Sequence, residues 1–283
     1  MPSTFGSRLE TAFAQHGQLC VGIDPHAALL GEWGLPDRAA GVEEFADRVI
    51  DGASQRVGII KPQVAFFERH GSAGFAVLER VAVKARDAGL LVIMDAKRGD
   101  IGSTMDGYFD AWLGKSAPFF SDALTVSPYL GIDSLNRVMG EAAERGKGLF
   151  VLSATSNPEG ERHQLAERGG KTVASDIWNA LATPNSVAAG PGDSIGSFGA
   201  VLGATADLKR FGIDLEAAER PLTPILAPGF GAQGARLGDL KRLFGAHAPA
   251  VLASVSRSVL EAGPRGVAAA IDAAKAELES GLA

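Results

Sequence analysis

The chain has 283 residues, somewhat more than the roughly 250 typical of one closed α/β barrel, and with 46% apolar residues it can bury a full core. Its formal net charge is -6, from 27 Lys and Arg against 33 Asp and Glu, which argues against broad binding to nucleic acid or anionic membranes. A small anion held by a few well-placed cations remains compatible with that balance. Cys20 is the single cysteine, so an intrachain disulfide is impossible, and its apolar setting QLCVGID reads as that of a small core residue. The N-terminal stretch MPSTFGSRLETAF carries charge early and does not read as a signal peptide. No run of about 18 apolar residues offers a transmembrane helix. A cytoplasmic protein is expected.

In chain order, short apolar runs occur at 19–23, 57–61, 90–95, 123–127, 149–153, 200–204, 224–228 and 251–255. Each is flanked by Gly, Pro or charge, as parallel strands covered on both faces are. Helical periodicity fills several of the intervals. FAVLERVAVKARDAG (75–89) has apolar positions three or four apart and Gly89 as a stop, and VAAAIDAAKAELES (267–280) repeats the pattern. Strands alternating with helices predict a parallel sheet, and a count of eight favours a closed (β/α)8 TIM barrel over an open doubly wound sheet. No GxGxxG follows the first strand, which weakens a dinucleotide-binding alternative. The stretch 155–198 is the one long irregular crossover. Within it KTVASDIWNALAT (171–183) reads as a helix and both flanks read as surface loop. No domain boundary is visible, so residues 1–283 are expected to form a single domain.

Barrel chemistry sits at the C-terminal ends of the strands. The polar residues that end these runs are Asp24, Lys61, Asp95 with Lys97, Ser127, Gln233 in a Gly-rich loop, and Arg257. Residues two apart on an extended strand point the same way, so Asp95 and Lys97 are expected side by side. Lys61 ends the preceding run, on a strand about 4.8 Å away if the two are neighbours. Asp100 completes an alternating set of two lysines and two aspartates. A structural ion-pair network is the alternative, although apolar residues would serve that purpose as well or better. PGFGAQGA (228–235) and Arg257 together suggest a phosphate site, since glycines let backbone N–H groups approach an oxyanion and Arg offers a planar fork. An ordinary loop beside a surface arginine is the other reading. The five histidines show no metal-ligand spacing, and His26, near the mouth, is expected to be peripheral.

The segment DAKRGDIGST (95–104) resembles the signature of the orotidine 5′-monophosphate decarboxylase family. The resemblance continues in order through VGIDP (21–25), IIKPQVAFFE (59–68), TVSPYLG (125–131), APGFGAQG (227–234) and SRS (256–258). FFE after IIKPQ and TSNPEG after the fifth strand look like the bacterial branch with longer loops. The resemblance implies a cofactor-free and metal-free decarboxylase acting on a nucleotide in pyrimidine biosynthesis. It implies that Lys97 protonates the pyrimidine C6 and that Asp95 lies beside the departing carboxylate. Lys61 and Asp24 would hold ribose hydroxyls, and Ser127 would contact the ring. Gln233 and Arg257 would bind phosphate, with Pro228 and Gly234 in the same loop. It further implies a homodimer, with Asp100 entering the partner's site and Ile101 and Thr104 lining it. Three rivals are a magnesium-dependent phosphosugar lyase or decarboxylase of the same superfamily, a Schiff-base aldolase and a non-catalytic phosphate-ligand sensor. The first looks for a carboxylate where this chain has Lys61, and the second needs a better amine nucleophile than an ammonium fixed between aspartates. Intact Lys97 and both aspartates speak against the third.

Overall fold

The eight apolar runs all form strands in the computed structural model, which describes residues 3–216 and 220–282. They are β1 Leu19–Ile23, β2 Ile59–Pro62, β3 Leu91–Arg98, β4 Ala123–Val126, β5 Gly148–Ala154, β6 Phe198–Leu202, β7 Ile225–Ala227 and β8 Val251–Val255. Each pairs in parallel with the next, and β8 returns to β1 through Leu19↔Ala253, Cys20↔Ser254 and Val21↔Val255, which closes the barrel. Helices cover the outside. The two helices expected from periodicity run Gly71–Asp87 and Gly263–Leu282. The first stops before Gly89, whose φ of 77° suits a residue without a Cβ. No helix of the described residues is long and apolar enough to cross a membrane.

Period-two alternation divides each strand between two cores. Leu19, Val21 and Ile23 pack outward into the layer beneath the helices, together with Val92, Met94, Leu124, Val126, Leu149 and Val151. Cys20, Ile59, Ile93, Ala123, Phe150, Val201, Leu226 and Leu252 form a second cluster inside the barrel. Burial on both faces is why these runs read as continuously apolar. The N-terminal helix Phe5–His16 completes the inner cluster by inserting Phe5, Leu9 and Ala12 from below. Phe5 meets Phe150 edge-on, with ring centroids 6.0 Å apart. Gly148 makes that insertion possible, because a Cβ there would lie 2.4 Å from the Phe5 ring.

The crossover between β5 and β6 departs from expectation. Its flanks are not plain loop: Pro158–Gln164 and Ala182–Ala188 are helical, and Glu167–Arg168 pairs antiparallel with Lys171–Thr172. The expected helix over 171–183 is shorter, Val173–Ala180, capped by the Thr172 hydroxyl on the Ser175 N–H. Helix Pro158–Gln164 buries no residue, so it has no apolar stripe to betray it. Its local signals are Pro158 in the first turn, with Glu159 and Glu161 at the positive end of the helix dipole.

A charged cluster pins the bottom of the barrel, far from the strand ends that matter for chemistry. Buried Asp122 accepts from the Val92 N–H and pairs with Arg8. Arg8 also donates to the Gly146 carbonyl at 2.6 Å. Lys147 donates to the Ser121 carbonyl at 2.7 Å and lies 4.0 Å from the Phe120 ring centroid, but only 3.9 Å from Asp122. Burial lowers its pKa to about 8, with Arg8 adding repulsion and Asp122 opposing both. A lysine whose pKa falls on folding binds fewer protons in the native state, so folding stability rises with pH between the native value and the unfolded value near 10.5. The stability of the parent protein relative to Lys147→Met is therefore expected to rise from pH 8 to 10.5, by roughly 3 kcal/mol at most. Urea denaturation of both proteins across that range checks it, and a constant difference would contradict the shifted lysine.

Candidate active site

The inner faces of three adjacent strands bring three polar side chains together. Lys61 stands two residues after Ile59, Asp95 two after Ile93, and Thr125 two after Ala123. Because β2, β3 and β4 are neighbours, these side chains meet above the apolar plug. Asp95 is 8% exposed, yet both of its oxygens are saturated. Oδ1 accepts from Lys97 Nζ at 2.6 Å and from Thr125 Oγ1 at 2.9 Å. Oδ2 accepts from Lys61 Nζ at 2.9 Å and from Gln63 Nε2 at 3.0 Å.

Four donors make a buried carboxylate tolerable. Burial pushes the Asp95 pKa up, but Lys61 and Lys97 outweigh it and hold the group well below the usual carboxylate range. For Lys61, burial disfavours the ammonium, and Asp95 with Asp24 more than offsets this, so its pKa is raised. Both groups are charged at neutral pH. Cys20, beneath them, has its thiol pushed up to about 12 by burial and stays neutral, as a core residue should.

Lys97 reaches Asp95 by a route that strand alternation does not describe. Met94 lies opposite Leu124 and Arg98 opposite Val126, so four steps along β3 match two along β4. The two extra residues form a bulge in which Lys97 has φ 49°, the left-handed region. Its N–H donates to Thr125 Oγ1 at 3.0 Å. The expected contact is present, but it comes from a bulge and not from an extended strand. The Lys97 side chain is 45% exposed and stands at the mouth, whereas Lys61 is buried.

A cavity of about 310 Å³ opens over this array, lined by Asp24, Lys61, Asp95, Lys97, Gln233 and Arg257, with Pro228 among its other walls. Asp24 Oδ2 accepts from Ser256 Oγ at 2.6 Å, while its Oδ1 is buried without a hydrogen-bond partner among the described residues. After β7 the Gly-rich loop turns through Gly229, at φ 113°, and Ser156 Oγ donates to Gln233 Oε1 at 3.3 Å. Arg257 is exposed and makes no side-chain hydrogen bond or ion pair among the described residues.

Several expected site residues lie outside this cavity. Ser127 uses its N–H on the Arg98 carbonyl, and Thr125, one turn of the pleat earlier, lines the cavity in its place. Gly234 tightens the loop by donating to the Gly231 carbonyl and faces a groove behind it. Asp100 accepts from the Ile101 N–H, and Ile101 and Thr104 are exposed, Ile101 by 60%. His26 is peripheral as expected, capping helix Ala27–Glu32. Conversely, Gln63, Thr125, Ser156 and Asn157 line the cavity without having been singled out. Gln63 and Thr125 were open to discovery, since each lies two residues beyond an inward position. Ser156 and Asn157 carried no such periodic signal.

The family whose model matches residues 17–271 is described as the orotidine 5′-phosphate decarboxylase / HUMPS family. An orotidine 5′-phosphate decarboxylase of Streptomyces coelicolor is 54% identical over 262 residues, covering 92% of this chain and 91% of that protein. One from a Nocardioides species is 52% identical, covering 90% and 91%. Among solved structures, the Leishmania donovani OMP decarboxylase superposes with a TM-score of 0.75 at 30% identity, covering 98% of each chain. A Streptomyces avermitilis crystal structure gives 0.92 at 50% identity, covering 99% of this chain and 97% of that one.

Thr125 deserves a direct test because one hydroxyl serves two partners. Thr125→Val keeps the shape but strips a donor from Asp95 and leaves the Lys97 N–H without its acceptor. The expected loss of stability is about 1–3 kcal/mol, measured by urea denaturation at pH 7. A loss below about 0.5 kcal/mol would mean that water or neighbouring groups replace the hydroxyl without cost.

Proposed function

The chain belongs to the orotidine 5′-phosphate decarboxylase / HUMPS family and is a carboxy-lyase that converts orotidine 5′-monophosphate to uridine 5′-monophosphate in pyrimidine biosynthesis, and on that basis we propose that Lys97 protonates C6 as carbon dioxide leaves. The observation that carries the proposal is the Lys61–Asp95–Lys97 array lining the cavity, with Lys61 and Asp95 buried and Lys97 half-exposed at the mouth. Cleaving the bond between C6 and the carboxylate leaves an electron pair on C6 with no adjacent carbonyl to accept it. Stabilisation must come from charge already in place, and an ammonium oriented in a desolvated site supplies it. Within one chain the array holds two ammoniums and one carboxylate, a net positive charge that favours an anion above it. The same ammonium is a proton source at the carbon where charge develops.

The remaining groups divide the substrate between them in this reading. The unpartnered Oδ1 of Asp24 accepts a ribose hydroxyl, and Lys61 supports the same end while holding Asp95. Arg257, free of other side-chain partners among the described residues, binds phosphate with Gln233 and the Pro228–Gly234 loop. Phosphate contacts lie away from C6, so their binding energy serves to organise the site around the reacting centre. Asp95, already saturated with donors, acts mainly to hold Lys61 charged and both lysines placed.

Asp100, Ile101 and Thr104 project from the segment that follows Lys97 and take no part in their own chain's cavity. In this reading the active unit is a homodimer in the cytoplasm, and these residues complete the partner's site. A two-fold axis makes such an exchange reciprocal.

Two measurements test these assignments. Conversion of orotidine 5′-monophosphate, followed by ultraviolet absorbance, is expected to fall by at least about 100-fold in Lys97→Ala while the far-ultraviolet circular dichroism is unchanged. Retention of about a tenth of the activity would remove Lys97 from the proton transfer. Mixing inactive Lys97→Ala with inactive Asp100→Ala chains is expected to restore activity, because one site of the mixed dimer carries neither lesion. If subunits exchange and no activity returns, Asp100 acts within its own chain.

A further inference from the structure

We propose that Arg98 is a positioning residue that holds the Lys97 peptide in its left-handed conformation, and so fixes where the Lys97 ammonium sits. The inference rests on the role given to Lys97 above. It starts from an unfavourable feature: a lysine at φ 49° adopts a backbone conformation that side chains with a Cβ rarely take. Such a conformation persists only where its surroundings over-determine it.

On the cavity side, Thr125 Oγ1 accepts the Lys97 N–H. On the strand side, the Arg98 carbonyl accepts from the Ser127 N–H at 2.8 Å, and Gly99 packs so closely that a Cβ there would lie 2.3 Å from the Ser127 carbonyl oxygen. On the β2 side the last backbone contact is the Val64 N–H to the Asp95 carbonyl at 3.3 Å, and beyond it the Arg98 side chain takes over. Its Nη1 folds back to the Ala96 carbonyl at 3.5 Å, across the residue that precedes Lys97. Its Nη2 donates to Glu68 Oε1 at 2.8 Å. The guanidinium carbon lies 5.7 Å from the ring centroid of Tyr108 and 5.7 Å from that of Trp112. Those rings are four residues apart on helix Gly102–Trp112 and so share one face.

One side chain thereby ties the Lys97 bulge to the segment after β2, through Glu68, and to the helix after β3. Only arginine fits all three contacts. It presents diverging donors for Ala96 and Glu68 and a flat cationic face for two aromatic rings, whereas lysine is a point charge on a flexible stem. Arg98 does not line the cavity and touches no position that substrate would occupy, so its effect must pass through Lys97. Release of the clamp lets the 96–98 backbone relax toward ordinary strand geometry, which moves the ammonium away from its seat on Asp95.

The test compares Arg98→Ala, Arg98→Lys and Glu68→Gln with the parent enzyme and with Lys97→Ala. Arg98→Ala is expected to lower kcat by about 100-fold, the size of effect that misplacing a reacting group by about 1 Å produces. KM for orotidine 5′-monophosphate should change little, because the groups assigned to ribose and phosphate are untouched. The discriminating readout is ligand affinity. 6-Hydroxyuridine 5′-monophosphate carries negative charge on an oxygen at C6 and needs the Lys97 ammonium in place. Its affinity should fall in parallel with kcat, while that of uridine 5′-monophosphate, which has no such charge, stays within about threefold. Arg98→Lys and Glu68→Gln should show the same pattern with smaller losses. They carry the test alone if Arg98→Ala fails to fold. Millimolar guanidinium, well below denaturing concentrations, should partly restore kcat in Arg98→Ala by refilling the slot between Glu68 and the two rings. Equal losses of affinity for both nucleotides, or a raised KM with kcat unchanged, would overturn the positioning role. Full activity of the Arg98 variants beside an inactive Lys97→Ala would defeat this inference alone. An active Lys97→Ala would instead defeat the reading on which it rests.

Discussion

A carboxylate buried in the mouth of an apolar barrel is the constraint from which the rest of the site follows. Asp95 cannot be ionised there unless donors replace the water it has lost. Four do so, and they come from three strands and their extensions: Lys61 and Gln63 from β2, Lys97 from the bulge of β3, and Thr125 from β4. Each donor is worth having only while the others stay in register. Adjacent parallel pairing of β2, β3 and β4 is thus as much a part of the site as the side chains.

The barrel separates the residues that hold it together from the polar array at its mouth. Below, Phe5, Leu9 and Ala12 fill the interior against Phe150, and Arg8, Asp122 and Lys147 tie the N-terminal helix to the starts of β3 and β5. Above, the same inward-facing rows change from apolar to polar within two residues: Ile59 to Lys61, Ile93 to Asp95, Ala123 to Thr125. The plug gives the array a dry, low-dielectric floor, where each charge interacts more strongly than it would in water. Cys20 belongs to the plug, and its neutral thiol adds no charge to the floor.

The two ends of the cavity are prepared differently. The charged floor is fully engaged before any ligand arrives, with every Asp95 lone pair directed at a donor. The groups around it are not: Asp24 keeps one buried oxygen without a partner, and Arg257 makes no side-chain hydrogen bond or ion pair among the described residues. That contrast is the one expected where part of a site is preorganised and part is completed by a ligand. The exposed Ile101, Tyr129 and Leu130 lie on the loops following β3 and β4, on the same rim as Asp100.

By itself the sequence determined the eight strands and their parallel pairing, because strands buried on both faces leave continuous apolar runs. It also determined the family, since DAKRGDIGST and its companion motifs span most of the chain in order. It did not decide how Lys97 meets Asp95. Alternation places them together for the wrong reason, and only the pairing of β3 with β4 shows the two-residue bulge that turns Lys97 into the left-handed region. It left Ser127 where Thr125 lines the cavity, because the end of an apolar run does not say which face its last residue takes. The helix Pro158–Gln164 was hidden for a related reason: it buries nothing, so no periodicity records it. The clamp on Arg98 was equally invisible, since Glu68, Tyr108 and Trp112 are 30, 10 and 14 residues away along the chain and meet only when the barrel closes. Local pattern reflects burial, which each residue feels alone, whereas the placing of charge depends on neighbours that only tertiary structure supplies.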